Sequence, residues 1–283
     1  MPPSTSGISQ EQSKGRVWRP WTTGSVAAVR EQPQQRLPPV QRLRIRYAKR
    51  GRLRFTSHRD FSRAFERAVF RARVPMAYSS GFNPHPRISY AGAAPTGSAS
   101  EAEYLEIALA DVVVPADVHA QLDAALPPGL DVLEVVVASA GSSLADLLEA
   151  SDWRIMLDGT DPGALAEAVA AFLATDEVTV ERMTKKGLRT FDARAAVVSM
   201  TSAPRADDVG VTGNGQPRAI LQLVLRHGVP SVRPDDILAG LREIAGLDLS
   251  AAAVQQRLAQ GPLDPRDGTV GDPLAPDRDA VGP

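Results

Sequence analysis

Two histidines and a run of arginines are the residues of this chain with chemistry to offer. His58 stands in "TSHRDFSRAFERAVFRAR" beside Ser57 and Asp60, and His85 stands between Pro84 and Pro86 in "SSGFNPHPR". As an acid–base pair they would suit metal-independent cleavage of an RNA phosphodiester, with Tyr78, Arg63 or Lys185 stabilising charge. As metal ligands they lack support, because no HxH, HxxxH or HxxE spacing accompanies either one. The plainer roles are a helix cap for His58 and a fixed turn for His85.

The arginines point to phosphate. Arg59, Arg63, Arg67 and Arg71 recur every four residues, while Arg42, Arg44 and Arg46 alternate with Leu43, Ile45 and Tyr47. Between Arg42 and Arg87 stand thirteen basic residues and only two acidic ones, Asp60 and Glu66, although the whole chain carries a formal charge of −1. A guanidinium donates in pairs and keeps its charge at any accessible pH, which suits a phosphate backbone. The phosphate-contacting set read this way is Arg44, Arg46, Arg59, Arg63, Arg67 and Arg71, joined by Lys185 and Lys186 of "TKKG". A solvated helix face is the plain alternative for the stripe, and a soluble hairpin tip for the two lysines.

A third feature is the loop Gly81, Phe82, Asn83, Pro84, His85 and Pro86. Gly81 and Asn83 accept positive φ, and the two prolines restrict the backbone around His85. Such a stiff loop can present amides to a phosphate or to a partner's backbone.

These residues need elements to position them. Arg42 to Tyr47 has the period of a half-buried strand, and Phe61, Ala64, Phe65, Ala68 and Val69 mark one face of a helix. Ser57 with Asp60 resembles a capping box, and Pro75 ends the segment. Strands at "RISYA" and "AEYLEIAL", a helix from Pro115 and a strand at "GLDVLEVVVAS" complete the order β-α-β-β-α-β. The second half repeats it with an extra turn at "TKKG". The expected fold is α+β: two tandem ferredoxin-like (βαββαβ) sandwiches over 41–140 and 151–260, the second decorated by a hairpin. Residues 1–40 and the acidic, Pro-rich 261–283 lack any apolar period and are expected to be disordered tails.

Composition excludes some chemistry outright. The chain has no cysteine, so it supplies no disulfide, no thiolate nucleophile and no thiolate ligand to zinc or an iron–sulfur cluster. No run approaches the ~20 apolar residues of a membrane span. The N-terminus lacks the apolar segment of an export signal, so a cytoplasmic location is expected.

The blocks "RYAKRGRLRFTSHRDFSRAFERAVFRARVP", "SSGFNPHPRISYAGAAPTGSASEAEYLEI" and "TKKGLRTFDAR" together resemble the radical-SAM-linked domain of unknown function, over roughly residues 41 to 227. Arg59 stands where that family often has Leu. The resemblance implies a stand-alone member encoded beside a radical SAM enzyme. That partner would carry the iron–sulfur cluster and S-adenosylmethionine, with no cofactor in this chain. The element order also looks like that of CRISPR repeat-processing endoribonucleases, a likeness of architecture alone.

Three functions are compatible with these features. The first is an accessory protein that binds RNA, tRNA or rRNA, for modification by the radical SAM partner, without activity of its own. The second is an endoribonuclease using His58 and His85. The third is a protein-interaction scaffold.

Overall fold

A computed structural model describes residues 37–141, 143–184, 187–202, 218–249 and 252–280. The architecture is mixed α+β, with ten strands and five α-helices among the described residues. Of the expected N-terminal tail only residues 37–40 fall within this range.

The first half runs β1 (Gln41–Lys49), α1 (His58–Arg71), β2 (Ile88–Ala91), β3 (Ala99–Leu109), α2 (Pro115–Ala125) and β4 (Val132–Val137). Alternation decides which side of β1 is buried against helices. Leu43, Ile45 and Tyr47 join Phe61, Phe65, Ala68 and Val69 of α1 and Val118 and Leu122 of α2 in one apolar cluster. The Tyr47 and Phe61 rings stack with centroids 4.4 Å apart. Ser57 caps α1 by accepting from the Asp60 amide at 3.2 Å, and its hydroxyl donates to the Asp60 carboxylate at 2.6 Å. Proline at the first turn of α2 fixes its start.

The second half runs β5 (Ala150–Asp158), α3 (Pro162–Ala174), β6 (Thr179–Thr184), β7 (Gly187–Asp192), β8 (Val197–Thr201), β9 (Arg218–Arg226), α4 (Pro234–Ala245) and β10 (Val254–Gly261). Its own cluster gathers Trp153, Ile155 and Leu157 of β5 with Leu165 and Phe172 of α3 and Ile237 and Leu241 of α4. Gly240 lets α4 approach α3: a Cβ there would stand 2.8 Å from the Phe172 ring and from Val178.

Strands of both halves form one main sheet, in the order β4-β1-β3-β10-β5-β9-β8, with β2 also paired to β3. Its ladders are antiparallel except for β10 on β3, where Gln256 faces Ala99 and Arg257 faces Ser100. β6 and β7 make a separate two-stranded hairpin.

The C-terminal stretch departs from the expected tail. Residues 262–280 follow β10 as a packed segment that ends in α5 (Ala275–Ala280). Leu274 is fully buried with Ala102, Tyr104, Leu144 and Leu148, on the side of the sheet away from α1 and α2. Asp277, also fully buried, accepts from the Ser139 amide and hydroxyl at 2.9 and 2.8 Å. Few apolar residues are enough to anchor this segment because a buried ion pair and backbone hydrogen bonds fix it as well.

Candidate nucleic-acid interface

The structure separates the arginines into two populations. Those of β1 point away from the helices, as their alternation requires, but that face is covered. Arg44 is only 3% exposed and meets Asp277 through Nη1, at 2.9 and 3.1 Å from its two carboxylate oxygens. Its Nε donates to Glu106 at 3.3 Å, and Arg42 reaches the same carboxylate at 2.7 Å. Arg46 is half-buried and donates to the Glu101 carbonyl at 2.8 Å. Arg44 is therefore removed from the phosphate-contacting set, because carboxylates of β3 and of the C-terminal segment already satisfy it. Arg46 is largely committed as well.

The arginines of α1 are different. Arg59, Arg63, Arg67 and Arg71 are all exposed. Arg59, Arg63 and Arg67 make no ion pair among the described residues, and Arg71 donates to the Ala125 carbonyl at 3.3 Å. At ~1.5 Å rise per residue the stripe extends about 18 Å along the helix. Phe70, 84% exposed, lines one shallow concavity with Arg63, Glu66, Arg67 and Arg71. Phe55 is also exposed, with the Arg54 guanidinium 4.7 Å from its ring centroid.

The loop is a closed hairpin. Tyr78 bridges Pro86, the Ser79 amide donates to the His85 carbonyl at 2.9 Å, and the His85 amide donates to Ser79 Oγ at 3.0 Å. Gly81 has φ 132°, a value that excludes most side chains. Phe82, Asn83, Pro84 and His85 are exposed at the tip, and Phe82 is 68% exposed. Its amides are thus partly spent within the loop, and its outward offering is a ring and an imidazole.

His58 and His85 are not joined. His58 sets its ring edge-on to Tyr90 of β2, centroids 5.0 Å apart, and neither imidazole has a hydrogen-bond partner among the described residues. Burial raises the Tyr90 phenol above its ordinary range. Among the described residues no group of three or more His, Asp or Glu is placed to hold a metal. Lys185 and Lys186 lie outside the described residues. No helix among those residues is long and apolar enough to cross a membrane.

A family model for an uncharacterized protein conserved in bacteria, DUF2344, matches residues 42–234. The chain belongs to the DUF2344 family. No curated protein matches it. The matched range holds the α1 stripe and the loop, while β10 and the segment after it lie beyond.

Sequence reasoning missed a polar cluster at the seam between the halves of this DUF2344 protein. Arg257 of β10 donates to Glu103 and to Gln260 at 2.5 Å each, to the Gly92 carbonyl at 2.7 Å and to Ser100 at 3.2 Å. Lys49 lies beside it, donating to the Ala94 and Pro95 carbonyls at 3.3 and 3.4 Å. Burial lowers the Lys49 pKa, and burial together with Glu103 raises that of Tyr47 well above the ordinary phenol range. One signal was present in the sequence. Lys49 continues the Leu43, Ile45, Tyr47 period into the core, where a charge must find partners.

Proposed function

We propose that this DUF2344 protein is a cytoplasmic RNA-binding accessory protein that acts beside a separate radical SAM enzyme in tRNA or rRNA modification. One observation carries the RNA reading: three exposed guanidiniums without carboxylate partners among the described residues, at four-residue intervals on α1, with the exposed ring of Phe70 among them. Guanidiniums track a phosphate backbone irrespective of sequence, and exposed aromatic rings accept unstacked bases. The pairing of Arg42 and Arg44 with carboxylates supports taking the α1 stripe, rather than the strand arginines, as the binding surface.

The radical SAM partner is inferred from the sequence blocks around His58 and His85. A cysteine-free chain leaves every thiolate ligand of the cluster, and S-adenosylmethionine with it, to that partner. The orders β4-β1-β3-β2 and β10-β5-β9-β8 support reading each half as a ferredoxin-like unit, with β6 and β7 as the hairpin added to the second.

The test is binding of bulk tRNA, followed by fluorescence anisotropy between about 50 and 200 mM salt. Affinity is expected to fall steeply with salt. The double variant Arg63→Ala, Arg67→Ala is expected to lower the log–log slope by about 1.4 to 1.8, the share of two phosphate contacts. A slope unchanged in that variant, or no binding at low salt, rejects the reading.

A further inference from the structure

A second concavity, of about 290 Å³, opens at the seam between the halves, and no residue of α1 lines it. Three arginines line it, Arg182, Arg233 and Arg257, and no Asp or Glu is among its described lining residues. Two of the three are held from behind. Glu103 braces Arg257, and Asp236 pairs with Arg182, whose other nitrogen donates to the Ser231 carbonyl at 2.9 Å. These carboxylates fix the two side chains and offset their charge, which leaves Arg233 as the lining arginine without a carboxylate partner among the described residues.

Two neutral groups complete the wall. His227 Nδ1 lies 2.7 Å from the Leu148 carbonyl, which can only accept, so Nδ1 carries the proton. Nε2 therefore accepts, and Ser151 Oγ donates to it at 2.5 Å. Burial lowers the His227 pKa and keeps the ring neutral in this arrangement. Gln260 is 1% exposed, and its Oε1 accepts from Arg257, an assignment that Arg, having only donors, dictates. That leaves Nε2 as a buried donor with no partner among the described residues. Gly92 packs against this amide so closely that a Cβ would stand 2.7 Å from Nε2. Trp153 and Leu225 supply an apolar wall.

We infer that this seam cavity binds a small organic oxyanion, a carboxylate or phosphate monoester carrying a planar or apolar group. Arg233 and Arg182 hold the oxyanion and Trp153 faces the apolar part. The ligand touches both halves, since Gly92 and Pro95 come from the first and the arginines from the second. This site is independent of RNA binding.

Calorimetric titration of the full chain with phenyl phosphate, benzoate and inorganic phosphate tests it. Saturable one-site binding of phenyl phosphate or benzoate, weakened about tenfold or more by Arg233→Ala, is expected. The two probes distinguish phosphate from carboxylate. Arg182→Gln, which removes the second guanidinium assigned to the oxyanion, provides a second variant should Arg233→Ala unfold, and is expected to weaken binding too. Arg63→Ala with Arg67→Ala is expected to leave it unchanged. No saturable binding of any probe below about 10 mM overturns the inference. So does binding that Arg233→Ala and Arg182→Gln both spare, or that the α1 variant abolishes.

Discussion

Asp277 shows what a single residue does here. Its carboxylate is fully buried and neutralises Arg44, whose side chain is equally hidden. Removing one member of such a pair leaves the other charge in the interior without compensation, at a cost of about 3–5 kcal/mol. Asp277→Ala is accordingly expected to lower the free energy of unfolding in urea by about that much, and Arg44→Met combined with Asp277→Leu to recover much of it. Equal stability of Asp277→Ala and the native chain would remove the pair from the account. Arg44 also shows the limit of local reading. Its alternation with Leu43 and Ile45 correctly sets it opposite the helices. Nothing near it in sequence reveals that a carboxylate 233 residues away covers that face.

Among the elements, α1 was the most legible and β10 the least. Phe61, Phe65, Ala68 and Val69 follow helical spacing, Ser57 caps the start, and the arginines fall on the remaining surface. β10 reads "VQQRLAQG", and its buried positions include Gln255, Arg257 and Gln260. A strand whose inward residues are polar gives no apolar alternation to detect, because its partners are hydrogen bonds supplied by other strands. The α3–α4 contact carries a prediction of its own. Gly240→Val places methyl groups where Phe172 and Val178 already pack. Such overpacking is expected to destabilise by about 1–3 kcal/mol, read as a lower urea midpoint at unchanged slope. An unchanged midpoint would show that the helices part freely.

At the scale of the molecule, two apolar clusters share one sheet, and β10 is the strand that joins them. It pairs with β5 from Val254 to Gly261 and meets β3 at Ala99 and Ser100. A chain ending at residue 253 would leave β5 as an edge and strand Glu103 without Arg257. That truncation is expected to unfold at least about 10 °C lower than the intact chain, with fast amide exchange in β5. A truncated chain that melts with the intact one would mean that the halves are self-sufficient.

The place of β10 in the sheet has a consequence for synthesis. β3 is complete at Leu109, yet its neighbour begins only at Val254. At ordinary translation rates on the order of ten seconds separate the two events, during which one end of β3 has an unpaired edge. β5 waits in the same way from Asp158. Nascent chains of this protein therefore pass through a stage with two open strand edges and a buried-to-be glutamate still in water. Glu103 serves that stage well, because an inward-facing charge on an open edge strand discourages pairing with a neighbouring chain until Arg257 emerges to meet it.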